Sequence, residues 1–166
     1  MISLKVKSVK KLMTDLLVGD VFDGFLLQEA VLHTAVSYNI DGRLNSEFYP
    51  LEERTPELHP YEFQPWSEAR EIVHALIKGK HTPTYFHLVL MLKPESAKSL
   101  LKKEYPDGDY SAVGALKINI RYDGQEAVIT TGIAYTTFAL DKTPDQIWDR
   151  ALSKFLALKG IDAEIL

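Results

Sequence analysis

The sequence predicts an α+β domain: a largely antiparallel sheet of about six strands with about four helices packed on it. Three observations carry this. Residues 112–140 hold two long runs of strand formers around Asp123-Gly124, the dipeptide of a tight hairpin. The predicted order β-α-β-β-α then occurs twice, over roughly 2–79 and 84–160, with Gly42 matching Gly124 and Gly79 matching Gly160. Finally, 166 residues at 46% hydrophobic and 25% charged describe a single globular domain, 1–166, able to bury a real core. Such a duplication predicts a pseudo-twofold sheet, an architecture shared with TATA-binding-protein-like and sliding-clamp-like folds as analogy only.

Ile2–Val6 alternates apolar and polar residues as a short strand does. Ser8 stands at a helix N-cap ahead of the stripe Val9, Leu12, Met13, Leu16 and Leu17, and Gly19 stops that helix. Phe25–Ile40 is rich in strand formers and long enough to require a bend or bulge. Asp41-Gly42 is read as the next hairpin turn, a three-residue loop with Arg43 that aligns Ile40 with Leu44 and Val36 with Phe48. Residues 49–64 are irregular, with Pro50, Pro56 and Pro60. Pro65 opens a helix whose buried side is Trp66, Ala69, Ile72, Val73, Leu76 and Ile77, closed by Gly79.

Thr84–Leu92 is almost continuously apolar and predicts a central strand covered on both faces. Pro94 suits the first position of a helix with Ala97, Leu100 and Leu101 inward. In the hairpin that follows, a two-residue Asp123-Gly124 loop sets Ile118 opposite Ile129, Ile120 opposite Ala127 and Arg121 opposite Glu126. The last helix starts at Thr143-Pro144-Asp145-Gln146, which has capping-box spacing. It buries Ile147, Trp148, Ala151, Leu152, Phe155 and Leu156 and ends at Gly160.

Composition excludes several classes. Without cysteine there is no disulfide, thiol nucleophile or cysteine-ligated zinc. No apolar run approaches the length of a membrane span, and the first residues lack a signal-peptide core, so a cytoplasmic protein is the expectation. The net charge is −4. Residues 47–62 hold Glu47, Glu52, Glu53, Glu57 and Glu62 against Arg54 alone, leaving the rest of the chain balanced. That distribution offers no footprint for a phosphate backbone, and nucleic acid is not an expected partner.

The residues able to carry chemistry are few. Glu29 and His33 share a strand face but lie about 13 Å apart along it, able to flank a ligand but not to bond each other. His87 sits mid-strand near Tyr85, where an imidazole responds to pH. The five histidines show no metal-ligand spacing, so no metal and no cofactor are expected. Gly79-Lys80-His81-Thr82 follows a helix instead of preceding one, which fails the phosphate-loop test; Lys78, Lys80 and His81 suit a helix C-terminus. No nucleophile elbow or dinucleotide fingerprint occurs. The acidic, aromatic loop 47–63 is either a docking strip anchored by Tyr49, Tyr61 and Phe63 or a proline-stiffened strap on the body.

Asn39-Ile40-Asp41-Gly42-Arg43-Leu44, together with Ile77-Lys78-Gly79-Lys80-His81-Thr82-Pro83, resembles an uncharacterised domain-of-unknown-function family of anaerobic Firmicutes. The similarity covers most of the chain. It implies a bacterial, intracellular setting and no mechanism, and it singles out Arg43, Lys80 and His81. The expected function is a binding or interaction module without catalytic activity, meeting a partner through loop 47–63 or a second copy of itself. The alternative is a small enzyme using Glu29, His33 or His87 as acid and base. Glu29, His33, Arg43, Lys80, His81 and His87 are therefore the candidate ligand-binding residues.

Overall fold

A computed structural model describes residues 1–166. In chain order the elements are β1 (Ser3–Val6), α1 (Val9–Leu17), β2 (Phe25–His33), β3 (Ser37–Asp41), β4 (Gln64–Pro65), α2 (Trp66–Ile77), β5 (Tyr85–Leu92), α3 (Pro94–Glu104), β6 (Val113–Tyr122), β7 (Ala127–Tyr135), α4 (Thr143–Leu158) and β8 (Ala163–Ile165). All strands join one 8-stranded antiparallel sheet in the order β3-β2-β5-β6-β7-β1-β8, with β4 also on β2.

One face of this sheet holds the core, because alternate residues of each strand are apolar and point the same way. Leu4 and Val6, Leu27 and Leu32, Leu88 and Leu90, Ile118 and Ile120, and Ala127 and Ile129 join a cluster with Leu12 and Leu16 of α1, Trp66 and Val73 of α2, and Trp148 and Leu152 of α4. The two tryptophans also satisfy their ring N–H groups. Trp66 Nε1 donates to Leu16 O at 2.9 Å, and Trp148 Nε1 donates to Lys117 O at 2.8 Å. Phe155 packs edge-on against Phe22 and Phe25. Ser8 caps α1 as expected, its side chain accepting from Lys11 N. Helix α3 contacts β6 and α4 and buries Leu101.

The opposite face is mostly polar and carries Lys5, Glu29, His33, His87, Lys117, Asn119 and Arg121.

Several local expectations are corrected. In the hairpin β6–β7, Ile120 faces Ile129, Tyr122 faces Ala127 and Arg121 faces Val128. The loop residues are Gly124-Gln125 rather than Asp123-Gly124. Only Gly124 has a positive φ (97°), so the type I′ turn, which needs two such residues, is ruled out. Asp123 instead flanks the loop, and its Oδ1 accepts from Gln125 N at 2.9 Å and Glu126 N at 2.8 Å. From Ala115 to Tyr122 the register moves by two residues, which leaves those side chains on their expected faces, and an irregularity at Gly114 shifts the pairing beyond it, setting Val113 opposite Tyr135. Glu126 pairs with Lys5 of β1 instead of Arg121.

Asp41-Gly42 is not a hairpin turn. The chain turns earlier, at Thr34–Val36, setting His33 opposite Ser37, and the expected strand 25–40 is thereby two strands. At α4, Thr143 is the first helical residue and no side chain caps the helix from Lys142. Asp141 Oδ1 accepts from Thr143 N instead, so the capping box does not form. A C-terminal strand, β8, lies beside β1, where the sequence pattern predicts no element. The second half runs β-α-β-β-α, whereas the first carries the extra short strand β4 before α2, and the pairing does not follow a twofold. Strand β5 lies between β2 and β6, whereas its counterpart β1 lies beyond β7.

Candidate functional site

The site begins with an irregularity in β2. Leu27 faces Leu90 of β5 and Glu29 faces Val89, so Gln28 is an extra residue, a β-bulge. Both β3 and β4 pair with the other edge of β2, and they meet at this bulge: Glu29 faces Asp41 on one side, and Leu27 faces Gln64 on the other. Gly42 fills the junction. Its N–H donates to Gln28 O at 2.9 Å, and its carbonyl accepts from Gln64 N at 2.8 Å. A Cβ at this position would lie 1.9 Å from Leu27 O, so close backbone approach is what requires glycine here.

Everything between Gly42 and Gln64 therefore leaves and re-enters the sheet at neighbouring points. Arg43 bridges Phe63, and Leu44 N donates to Glu62 O at 2.8 Å, which closes the base of a loop. The loop holds two short 3₁₀ turns, Ser46–Phe48 and Leu51–Glu53. Tyr49 stacks on His59 with ring centroids 4.0 Å apart, and Arg54 Nε donates to Tyr49 O at 2.8 Å. On the body, Tyr61 donates its hydroxyl to Glu95 at the start of α3, with the Lys93 ammonium 5.7 Å from its ring. That hydrogen bond holds the Glu95 carboxyl below its ordinary range, and it raises the Tyr61 phenol, helped by partial burial.

Three cavities meet at Arg43. One, of about 460 Å³, lies within the loop and is walled by residues that include Tyr49, Arg54, Thr55, His59 and Glu62. A second, of about 410 Å³, opens over the bulge beside Gln28, Glu29, Asn39 and Asp41. The third, also about 410 Å³, runs under Pro60–Phe63 toward Leu26, Met91, Ala97 and Lys117. Arg43 lines all three, its guanidinium 4.8 Å above the Phe63 ring. The ion pairs of the molecule are Met1–Asp149, Lys5–Glu126, Lys11–Asp15 and Arg70–Asp23, so neither Arg43 nor Arg54 has a carboxylate partner. Gln28 Oε1, on the wall between two of the cavities, is buried without a hydrogen-bond partner.

Of the residues singled out by sequence, Glu29 and Arg43 come together in the cavity over the bulge. His33 and His87 lie on the same open sheet face, one against Tyr85 at 5.1 Å between ring centroids, the other bonded to Asn119 Oδ1 at 3.0 Å. Lys80 and His81 follow α2. His81 lines a separate cavity with His74, Met13 and Leu17, on the helical side. The six residues thus occupy three places. No group of three or more His, Asp or Glu side chains is arranged to hold a metal ion.

The sequence reading did not single out Gln28, Arg54 or His59 as site residues. The available signal was Arg54, the lone cation among the five glutamates of residues 47–62. No helix is long and apolar enough to cross a membrane. Comparison with curated proteins and with solved structures returns no match. The family of unknown function DUF5721 matches residues 15–164, nearly the whole of the chain described above, and the protein belongs to that family.

Proposed function

We propose that this protein is a binding module without catalytic activity, and that its capture surface is the loop between Gly42 and Gln64 seated on the β2 bulge. The observation that carries the reading is the convergence of three cavities on one unpaired arginine, Arg43. Cavities of about 300–1,000 Å³ with a few placed polar groups are the usual form of small-ligand sites. The orphaned Gln28 Oε1 supports the same reading, since a buried acceptor without a partner is destabilising unless something donates to it. The loop's anchors hold the walls in place in advance of a ligand, which lowers the ordering cost of binding.

The test replaces Glu47–Leu58 with a short Gly-Ser linker, keeping the Arg43–Phe63 bridge and the Tyr61 anchor. Parent and variant are compared in a metabolite thermal-shift screen followed by calorimetric titration of the hits. The variant should keep its circular dichroism spectrum and lose the hits. A folded variant that binds every ligand the parent binds removes the loop from the function.

A further inference from the structure

The loop cavity also indicates what kind of ligand it takes. We infer that it binds a compact oxyanion, the phosphate or carboxylate of a small metabolite, between Arg43 and Arg54; this rests on the binding-module reading above.

Arg43 and Arg54 both line this cavity, and neither guanidinium meets a carboxylate within ion-pairing distance. This is notable in a loop with five glutamates. Of these only Glu62 is on the cavity wall, while Glu47, Glu52, Glu53 and Glu57 are exposed and lie elsewhere on the loop. Arg54 uses Nε to hold Tyr49 O, which leaves its two Nη groups without a protein partner. The Arg43 guanidinium makes no hydrogen bond and rests on Phe63. Two guanidinium forks with free N–H groups match the lone-pair geometry of phosphate and carboxylate oxygens better than any neutral ligand. Ser46 and Thr55, on the same wall, add hydroxyl donors.

Charge beyond the cavity sets the size limit. The exposed Glu47, Glu52, Glu53 and Glu57 make the loop around the cavity acidic, which disfavours an extended polyanion more than an oxyanion that ends inside the cavity. A volume of about 460 Å³ suits a small metabolite. The site therefore selects short anions over long ones.

The experiment follows arginine Nε and backbone amide signals by nitrogen-15 NMR while the intact protein is titrated with inorganic phosphate, with succinate and with a twelve-residue oligothymidylate. Sodium chloride serves as the ionic-strength control. Saturable shifts at Arg43, Arg54 and Thr55 are expected with phosphate or succinate, and whichever binds tighter names the oxyanion. The oligonucleotide should bind at least tenfold more weakly. Arg43→Gln and Arg54→Gln should each weaken binding about tenfold or more, and the pair together should abolish it. Arg121→Gln, on the open sheet face, should change nothing.

Shifts that merely follow sodium chloride, or that survive in the double variant, overturn the inference. If the thermal-shift screen yields loop-dependent neutral or cationic ligands while both oxyanions fail, the binding reading stands and this one falls. If nothing binds through the loop, both fall.

Discussion

Gly42 is the position where the structure makes its strongest quantitative demand. In Gly42→Ala the new Cβ would lie 1.9 Å from Leu27 O and 2.7 Å from Leu27 C. Real Cβ atoms do not approach other heavy atoms this closely, and backbone cannot rotate aside as a side chain can. Relief must come from separating the β3–β4 junction from β2. That strains or breaks the hydrogen bonds from Gly42 N to Gln28 O and from Gln64 N to Gly42 O.

Overpacking a tight site costs about 1–3 kcal/mol. Two weakened backbone hydrogen bonds add about 0.5–1.5 kcal/mol each. The expected loss is thus about 2–6 kcal/mol, a large part of the roughly 5–15 kcal/mol that stabilises a typical domain. For a chain of this size, each kcal/mol moves Tm by about 2–4 °C, so a fall of about 4–24 °C is expected. Urea unfolding and scanning calorimetry would measure it. Gly132→Ala is the comparator, because a Cβ there meets nothing within 4 Å. Its effect should stay within about 1 kcal/mol. Hydrogen exchange at the Leu44 and Gln64 amides should also quicken in Gly42→Ala. An alanine variant with unchanged midpoint and slope would refute the close-approach argument.

Two further outcomes follow from other parts of the molecule. Thr131 is buried on β7; its Oγ1 accepts from Ile2 N at 2.9 Å and donates to Asp149 Oδ1. Thr131→Val should cost about 1–3 kcal/mol by stranding both partners, and the Ile2 amide should lose exchange protection; a variant as stable as the parent would show that these bonds contribute nothing net. Glu95 is held below its ordinary range by the Tyr61 hydroxyl, so its contribution is present at neutral pH and is lost as pH falls below that range through the depressed value. Proton NMR contacts between Tyr61 and Lys93 should fade on acidification and become independent of acid in Glu95→Gln. If they survive to the acid limit of folding in the parent, the anchor does not depend on that carboxylate.

The fold was legible in the sequence where periodicity is strong. The stripes of α1, α2 and α4, the continuous apolar run of β5 and the alternation in β6 and β7 all rest on apolar spacing over many residues, although Ile72 of α2 is exposed and the Tyr85–His87 end of β5 is covered on one face only. Turns were less legible. Asp123-Gly124 and Asp41-Gly42 look alike as dipeptides, yet only the first lies at a hairpin tip. Gly124 is needed for its positive φ, while Gly42 is needed because Leu27 O is close by, a tertiary fact with no local mark. The length of Phe25–Ile40 calls for a bend or bulge, but its place at Gln28 has no local mark, since it is defined by the β5 partner.

The same reason made the candidate site half visible. The aromatics of the 47–63 loop were marked by residue type and Arg43 by the family resemblance, but the placing of Arg43 and Arg54 on one cavity depends on how the chain folds back on itself. Lys80 and His81, adjacent to a helix end, carried a similar chemical signature and lie at a different cavity or none of those around Arg43.

The junction at Gly42 has an evolutionary consequence. Because Arg43 and Phe63 are already neighbours, the segment between them is a cassette whose two ends are fixed by the scaffold. Doubling the length of such a segment adds only about 0.6 kcal/mol of closure entropy. Residues can be inserted, deleted or exchanged inside it with little disturbance to the sheet, the helices or the core that hold its ends. The loop can thus change in sequence and length while the framework stays the same, and a designer can graft a new loop at these two residues without rebuilding the sheet.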